Sequence, residues 1–480
     1  MVYAPLIWNG MAVGGACDNS LPKDVIRAPW DGQVVGTIPE AGPAELDAAL
    51  DAATTAYRFT RRTSPAERAN WLRAIADVLD GSQTELVELL VAEIAKPIRL
   101  ARQEVARAVL TFRLAADAVD AYDWQSELAL GVDARAAAHR VTARARPIGP
   151  VLAFVPYNWP INLLAHKLAA ILATGNTAVV KLSPLAPLAS AELVRLVHVA
   201  GVPDGVVNSW NGPNAVAQTA VTSDRIAAVS FTGSGRVGWM LRELAPRKPF
   251  VLELGGNTTA ILGPDRAPSG ALADSLPTLV ESAYAFAGQV CISTQNLFVP
   301  EEQLGAYGEM ISAQVAKISV GDPNDPETRL SAMIRESAAA QVAARFETLP
   351  AHQCPTGVRR NGNRLEPVLT VGLPPDHATV TEEQFGPVLH VIGYRDEAAL
   401  IASLQRFRYR LQAAIYSDDD AFAHRLIDEI PMGGWTRGVP PSTRFDAMPY
   451  GGERDSGIAR EGGAYGFAPF LRWESIVERR

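Results

Sequence analysis

The chain has 480 residues, 48% of them hydrophobic and 20% charged, with a formal net charge of −8. Such a length calls for two or three domains with substantial cores, and such a composition excludes a disordered chain. The acidic balance offers no basic field to draw in nucleic acid or an anionic membrane. The opening MVYAPLIWNG lacks the basic start and apolar run of a signal peptide. No stretch reaches the roughly 18 apolar residues of a bilayer span. Three cysteines, Cys17, Cys291 and Cys354, with no CxxC pair, make neither a disulfide framework nor a metal site. A cytoplasmic enzyme without a metal is expected.

Short β-like runs such as QVVGTIPE fill the N-terminal region. Ser64-Pro65-Ala66-Glu67 reads as a capping box with proline at the first helical position. Behind it Trp71, Leu72, Ile75, Val78 and Leu79 recur at helical spacing, and further helical pattern runs from 85 to 122. Between 131 and 147, VTARARP alternates apolar with charged residues, as a half-exposed strand does. The chain then takes up an α/β rhythm. Strands are predicted at 151–157, 177–182 and 226–231, with helices through LLAHKLAAILATG, ending at Gly175, and AELVRLVHVAG. This alternation predicts a parallel sheet covered on both faces. A second α/β unit is expected from about 250, opening with VLELGG and TTAILG. A helix through LVESAYAFAG ends just before Cys291, later strands are read at 388–394 and 413–417, and the tail from 466 returns to short alternation.

Gly233-Ser234-Gly235-Arg236-Val237-Gly238 is a GxGxxG turn between a strand and a helix, which reads either as a phosphate turn, whose backbone N–H groups approach a pyrophosphate, or as a glycine-rich turn without a ligand. The rule then asks for an acid about 20 residues on, to hold a ribose hydroxyl, and Glu253 stands there. Glu253 also closes an apolar strand, where desolvation moves a carboxyl toward the range of a general base. A surface glutamate at a strand edge is the plainer alternative. Cys291, in AGQVCIST, reads either as an inert core thiol or as a nucleophile awaiting a base. Asn158, within Pro156-Tyr157-Asn158-Trp159-Pro160, is a rigid amide suited to an oxyanion, or part of a simple turn. Lys181 suits ribose or phosphate, or is an ordinary strand-end lysine.

In order, VPYNWP, GNTAVVKLSP, FTGSGRVG, LELGG, GQVC, EEQFGPV and MPYGGERDSGIAREG closely resemble the motif series of the NAD(P)-dependent aldehyde dehydrogenase superfamily, over almost the whole chain. The last motif is most similar to the branch of lactaldehyde, phosphonoacetaldehyde and non-phosphorylating glyceraldehyde-3-phosphate dehydrogenases. The resemblance implies an α/β fold with two doubly wound domains and a small β oligomerisation arm. The cofactor-binding domain is then 1–124 with 148–252, the catalytic domain 253–450, and the arm with the C-terminal segment 125–147 with 451–480. A homodimer or homotetramer is implied.

The resemblance also implies the chemistry. Cys291 attacks a small-molecule aldehyde, and the Asn158 amide with the Cys291 N–H holds the oxyanion. Hydride leaves for NAD or NADP, with NAD ahead, and water activated by Glu253 hydrolyses the thioester. The acid at 253 is then the base and not a ribose ligand. Pro156, Tyr157, Lys181 and Ser183 match the cofactor-binding segments, Gly233 and Ser234 the pyrophosphate turn, and Glu383 and Phe385 the nicotinamide ribose and ring. Glu461 matches a buried acid that, in some members, joins a proton relay with Lys167 or with groups near Lys181. Val290 and Ile292 become walls of the aldehyde pocket, suited to an uncharged aldehyde.

Departures from the motif series are Pro184 where NAD-preferring members carry Glu, which leaves NADP open, and Gly235, Gly438 and Ala459 in place of the usual Thr, Asn and Gly. Three other functions are weighed. A cofactor-independent cysteine hydrolase gives Lys181, Glu383 and Phe385 no role. A coenzyme A-acylating dehydrogenase often lacks the acid at 253. A non-catalytic relative would show the cysteine or the acid replaced.

Overall fold

The computed structural model describes residues 2–3, 6–8, 11–13, 21–129, 131, 133, 138–266 and 271–479, so Cys17 and parts of the 131–147 segment lie outside the described residues. The first sheet has six strands, in the order Val207–Trp210, Ala178–Lys181, Val151–Phe154, Ala228–Thr232, Phe250–Glu253 and Gly457–Ile458. Neighbours run parallel except the last, which meets Leu252 and Glu253 antiparallel. All residues of Ala178–Lys181 and Phe250–Glu253 are buried. Strands covered on both faces are nearly continuous in apolar residues, broken here at their last positions by Lys181 and Glu253, and that is why these runs were readable. Val207–Trp210 has no such run. Its Asn208 and Ser209 are buried nonetheless, and the Asn208 amide donates to the Gly205 carbonyl at 2.8 Å.

Helices pack on this sheet. The capping box forms, with the Ser64 N–H donating to Glu67 Oε2 at 2.7 Å and the Glu67 N–H to Ser64 Oγ at 3.2 Å. It starts helix Pro65–Gly81. The helical pattern at 85–122 is two helices, Gln83–Ile94 and Ile98–Ala121. Between them Ala95 is left-handed (φ 52), and Pro97 has no N–H to continue a ladder. Helix Pro160–Ala173 is buried on every side and packs against Pro65–Gly81 and Ile98–Ala121. Gly175, at φ 78, turns the chain after it.

The second sheet runs Val368–Val371, Val388–Tyr394, Asn296–Pro300, Thr259–Leu262, Gln412–Tyr416 and Gly434–Arg437, all parallel. It does not open with VLELGG, as the sequence suggested. Phe250–Glu253 is in register with Ala228–Thr232 in the first sheet, and Thr259 is where the second begins. Gly255 and Gly256 carry the chain across. A Cβ at 255 would strike the Glu383 carboxylate, and one at 256 the Cys291 carbonyl oxygen.

A third sheet pairs Leu471–Arg479 and Gln125–Glu127 on either side of His139–Pro147, all antiparallel. The alternating VTARARP is its middle strand. Among the described residues, no helix is long and apolar enough to cross a membrane and no His, Cys, Asp and Glu group could hold a metal ion.

Candidate active site

The turn before Cys291 is wound against its preference. Phe286, Ala287 and Gly288 are successively left-handed, at φ 51, 53 and 67. For an L-residue this costs about 1–2 kcal/mol. Burial of Phe286 and Ala287 holds the strain in place. A Cβ at Gly288 would strike the Gly386 carbonyl. The turn delivers Gln289, whose side-chain oxygen accepts from the Tyr157 hydroxyl (3.1 Å) and the Ile334 N–H (2.9 Å). Its backbone carbonyl accepts from the Asn158 amide at 2.9 Å. Cys291 follows, half-buried, with Sγ 3.2 Å from the Tyr450 hydroxyl. Burial pushes its thiol up to about 11, against the pull of Tyr450 and Arg444.

Asn158 is held from behind. Its backbone carbonyl accepts from Lys96 Nζ at 2.7 Å. Lys96 is ion-paired with Glu104, both wholly buried, and its ammonium lies 3.8 Å from the centre of the Trp159 ring. Glu104 Oε1 in turn accepts the N–H groups of Ile161 (2.8 Å) and Asn162 (3.2 Å), at the start of helix Pro160–Ala173.

Glu253 ends its strand buried, and neither carboxylate oxygen has a partner among the described residues. Burial, and then the negative charge of Glu461, holds it well above the usual carboxylate range. Glu461 accepts from Lys167 Nζ at 3.1 Å. Burial acts on it in the same direction, but the Lys167 and Arg444 charges outweigh that and keep it low. Two buried acids are thus pushed apart, and Glu253 is the one that holds a proton more readily.

The dinucleotide side gathers at the ends of the same strands. Gly233 donates its N–H to the Glu253 carbonyl (3.1 Å), and Ser234 starts helix Gly235–Leu244 without a side-chain cap. Thr232 Oγ1 beside it is buried without a partner among the described residues. Lys181 ends its strand with Nζ bonded to the Leu182 carbonyl (2.7 Å), which leaves two N–H donors. Burial brings it down to about 8. Ser183 is buried just beyond it, and Pro156 is half-buried beside Tyr157. Glu383 Oε1 accepts from the Gly256 N–H (2.9 Å), and burial raises its carboxyl to about 7. Phe385, at φ 45, meets the Tyr157 ring edge-on at 6.2 Å. An uncapped helix start, an orphaned hydroxyl and a lysine with spare donors fit a pyrophosphate and ribose.

On the other side of Cys291 is a cavity of about 180 Å³. Val290 and Ile292 line it, but so do Arg107, Gln103, Ser442 and Arg444, so its walls are not apolar throughout as the cysteine's neighbours suggested. Arg107 makes a two-pronged pair with Asp446, at 3.1 and 2.6 Å. His166 Nε2 lies 3.0 Å from Asp446 Oδ1 and 3.1 Å from Arg444 Nη2. Burial brings His166 down to about 4, so its ring is neutral. Arg444 lies over the Tyr450 ring, 3.7 Å from its centre, and its Nε is buried without a partner among the described residues. None of Arg107, His166, Arg444 or Asp446 was read from the sequence. One signal existed: Leu100, Gln103 and Arg107 share a helix face by their spacing.

Of the departures noted above, Ala459 is the one under strain, at φ 70. Ala459→Gly relieves a left-handed penalty of about 1–2 kcal/mol and gives back about 0.4–1 through the freer unfolded chain. Denaturant unfolding is expected to show a net gain of up to about 1.6 kcal/mol. An unchanged or lowered midpoint would mean that the lost methyl packing outweighs the strain.

Comparison with known proteins bears on the whole of this arrangement. The model of the aldehyde dehydrogenase family matches residues 19–476. A 3-sulfolactaldehyde dehydrogenase of Priestia aryabhattai is 30% identical, over 98% of this chain and 97% of that protein. The structure of aldehyde dehydrogenase 21 from Physcomitrella patens, in complex with the reaction product succinate, superposes with a TM-score of 0.92 at 29% identity, covering 99% and 98% of the two chains. That of an NADP-dependent glyceraldehyde-3-phosphate dehydrogenase from Bacillus halodurans, complexed with NADP, superposes at 0.91 with 27% identity over the whole of both. With a family match that runs nearly end to end and a fold that superposes as fully, this chain belongs to the aldehyde dehydrogenase family.

Proposed function

We propose that this protein oxidises a short aldehyde bearing an anionic group to its carboxylic acid, with NAD or NADP. The observation that carries the choice of substrate is Arg444. It lines the same cavity as Cys291, and its Nε–H is buried without a partner among the described residues. Such a donor asks for a carboxylate, sulfonate or phosphate. Sulfolactaldehyde and succinate, named with the relatives above, are both anions.

The residues divide the work as follows. Cys291 attacks the carbonyl carbon through its sulfur. The Asn158 amide spends one N–H on the Gln289 carbonyl, which fixes its plane, and has a second for the oxyanion, together with the Cys291 N–H. Such donors are worth about 3–4 kcal/mol each at the transition state. The nicotinamide, when bound, accepts the hydride. Lys181, Ser183, the Gly233–Ser234 turn, Glu383 and Phe385 hold the dinucleotide, with Pro156 and Tyr157 shaping the wall beside it. Glu253 takes a proton from water, the hydroxide opens the thioester, and Lys167 with Glu461 passes the proton on. A homo-oligomer belongs to the same proposal. Strand Leu471–Arg479 forms one edge of its sheet and exposes Trp473 and Val477 there.

The test is a panel of aldehydes paired by length, one anionic and one neutral in each pair, run with NAD and with NADP. The anionic member is expected to win on kcat/KM, without coenzyme A. Arg444→Gln is expected to raise KM for anionic aldehydes about 10- to 100-fold, the worth of a charged hydrogen bond, and to leave KM for neutral ones nearly unchanged, while kcat falls alike for both because the sulfur loses a charge that favours its ionised form. Wild-type preference for the neutral member of each pair would refute the substrate reading.

A further inference from the structure

We propose that the Tyr450 hydroxyl is a catalytic hydrogen-bond donor to the Cys291 sulfur, holding the thiolate in the aldehyde cavity ahead of attack. The proposal rests on Cys291 being the nucleophile of the reaction above. Tyr450 Oη and Cys291 Sγ are 3.2 Å apart, and both residues line that cavity. While sulfur carries its proton, either group can donate. Once the proton has gone, sulfur has nothing left to give, and the bond runs only from phenol to thiolate. A hydrogen bond to an ionised partner is about twice as strong as a neutral one, so the contact favours the charged form of the sulfur. The thiol proton passes to the Glu253 carboxylate, and Tyr450 keeps its own.

The phenol is built into position. Tyr450 is 4% exposed. Its backbone N–H donates to the Glu461 carbonyl at 2.9 Å, and the Glu461 N–H donates back to the Tyr450 carbonyl at 2.7 Å. The Arg444 guanidinium covers one face of its ring. A cation there draws on the π-electrons and makes the O–H a better donor. Burial keeps the phenol from ionising until far above the usual tyrosine range, so a donor is present whenever the thiolate forms. Around the sulfur, Glu383 and Glu253 oppose a negative charge, while Tyr450 and Arg444 favour one. Phenylalanine would fill the same space without the donor. A purely steric role therefore predicts that the two are equivalent.

Tyr450→Phe separates these readings. The rate of Cys291 alkylation by iodoacetamide is followed against pH, with the modified peptide identified by mass spectrometry. The midpoint is expected to rise by about one unit, which slows labelling near neutrality about tenfold. The kcat/KM for aldehyde is expected to fall by a similar factor and to recover toward alkaline pH, with affinity for NAD or NADP unmoved. Placing 3-fluorotyrosine at 450 gives a stronger donor and should lower the midpoint. That arm remains informative if the phenylalanine protein does not fold. Unchanged midpoints in both proteins, or a loss confined to KM, overturn the proposal. A Cys291→Ala protein that still oxidises aldehyde overturns the nucleophile reading beneath it, and is told apart by that result.

Discussion

Glu253→Gln is expected to lower acid release by a factor of about 10²–10⁴ while affinity for NAD or NADP stays within about twofold, because the variant loses a general base and no cofactor ligand. The amide matches the carboxylate in shape, and the position has no hydrogen bond among the described residues to lose. Stability should therefore hold while chemistry fails. The pH dependence follows from the direction of the shift. Burial holds the Glu253 carboxyl well above its ordinary range, so the reactive carboxylate is scarce in acid and gains as pH rises. Wild-type turnover should climb as pH rises through the titration of Glu253, and the glutamine variant should lose that limb. Single-turnover reduction of the cofactor, set beside steady-state acid release, measures both. If cofactor affinity collapses instead and turnover at saturation survives, Glu253 is a ribose ligand.

The strand register explains why that second assignment is tempting. The glycine turn follows strand Ala228–Thr232, and Glu253 ends the next strand, directly opposite Thr232. Counting about 20 residues from a glycine turn lands at the end of the next parallel strand in any βαβ unit. Here that place is occupied by an acid that faces Glu461, Lys167 and Arg444.

Lys96→Met is expected to cost about 3–5 kcal/mol of stability, the penalty for leaving a buried charge without its partner. Glu104 would remain as an isolated carboxylate inside the helical layer, and the Asn158 carbonyl would lose its donor. Denaturant unfolding reports the first effect. A fall in kcat beyond what the unfolded fraction explains reports the second, since the backbone of the oxyanion amide is then held less firmly. Lys96→Met combined with Glu104→Gln removes the stranded charge and should recover part of the stability. A loss below about 1 kcal/mol for the single variant, the size of an exposed pair, would show that water reaches Glu104 and that the pair is not a buried support.

What could be read from the sequence was what short stretches of chain determine by themselves. Ser64 and Glu67 cap a helix across three residues, and AVVK and FVLE are apolar up to their last residue because both faces of the sheet are covered. The motif series located Cys291, Glu253, Asn158 and the glycine turn. The break at Ala95–Pro97 carried a signal in its proline that the wider helical pattern concealed. The second sheet was expected too early, because nothing local separates the last strand of one sheet from the first of the next. The charged side of the aldehyde cavity was out of reach for another reason. Arg107 and Asp446 lie 339 residues apart, and Cys291 and Tyr450 159 apart. Such pairs exist only once distant segments have met, and an arginine on a helix face looks like any solvated charge until then.

The glycine crossing between the sheets has a consequence for the making of the protein. Gly256 passes so close to the Cys291 carbonyl and Glu383 that the chain leaving the first sheet forms part of the wall around the nucleophile. A ribosome would release Asn158 and Glu253 first, the thiol next, and Arg444, Tyr450 and Glu461 after it. Until that later segment docks, the sulfur lacks Tyr450 and Arg444, the two groups around it that favour its charge. A growing chain therefore carries an ordinary cysteine, and its reactivity toward aldehydes arrives only when Tyr450 and Arg444 have met it.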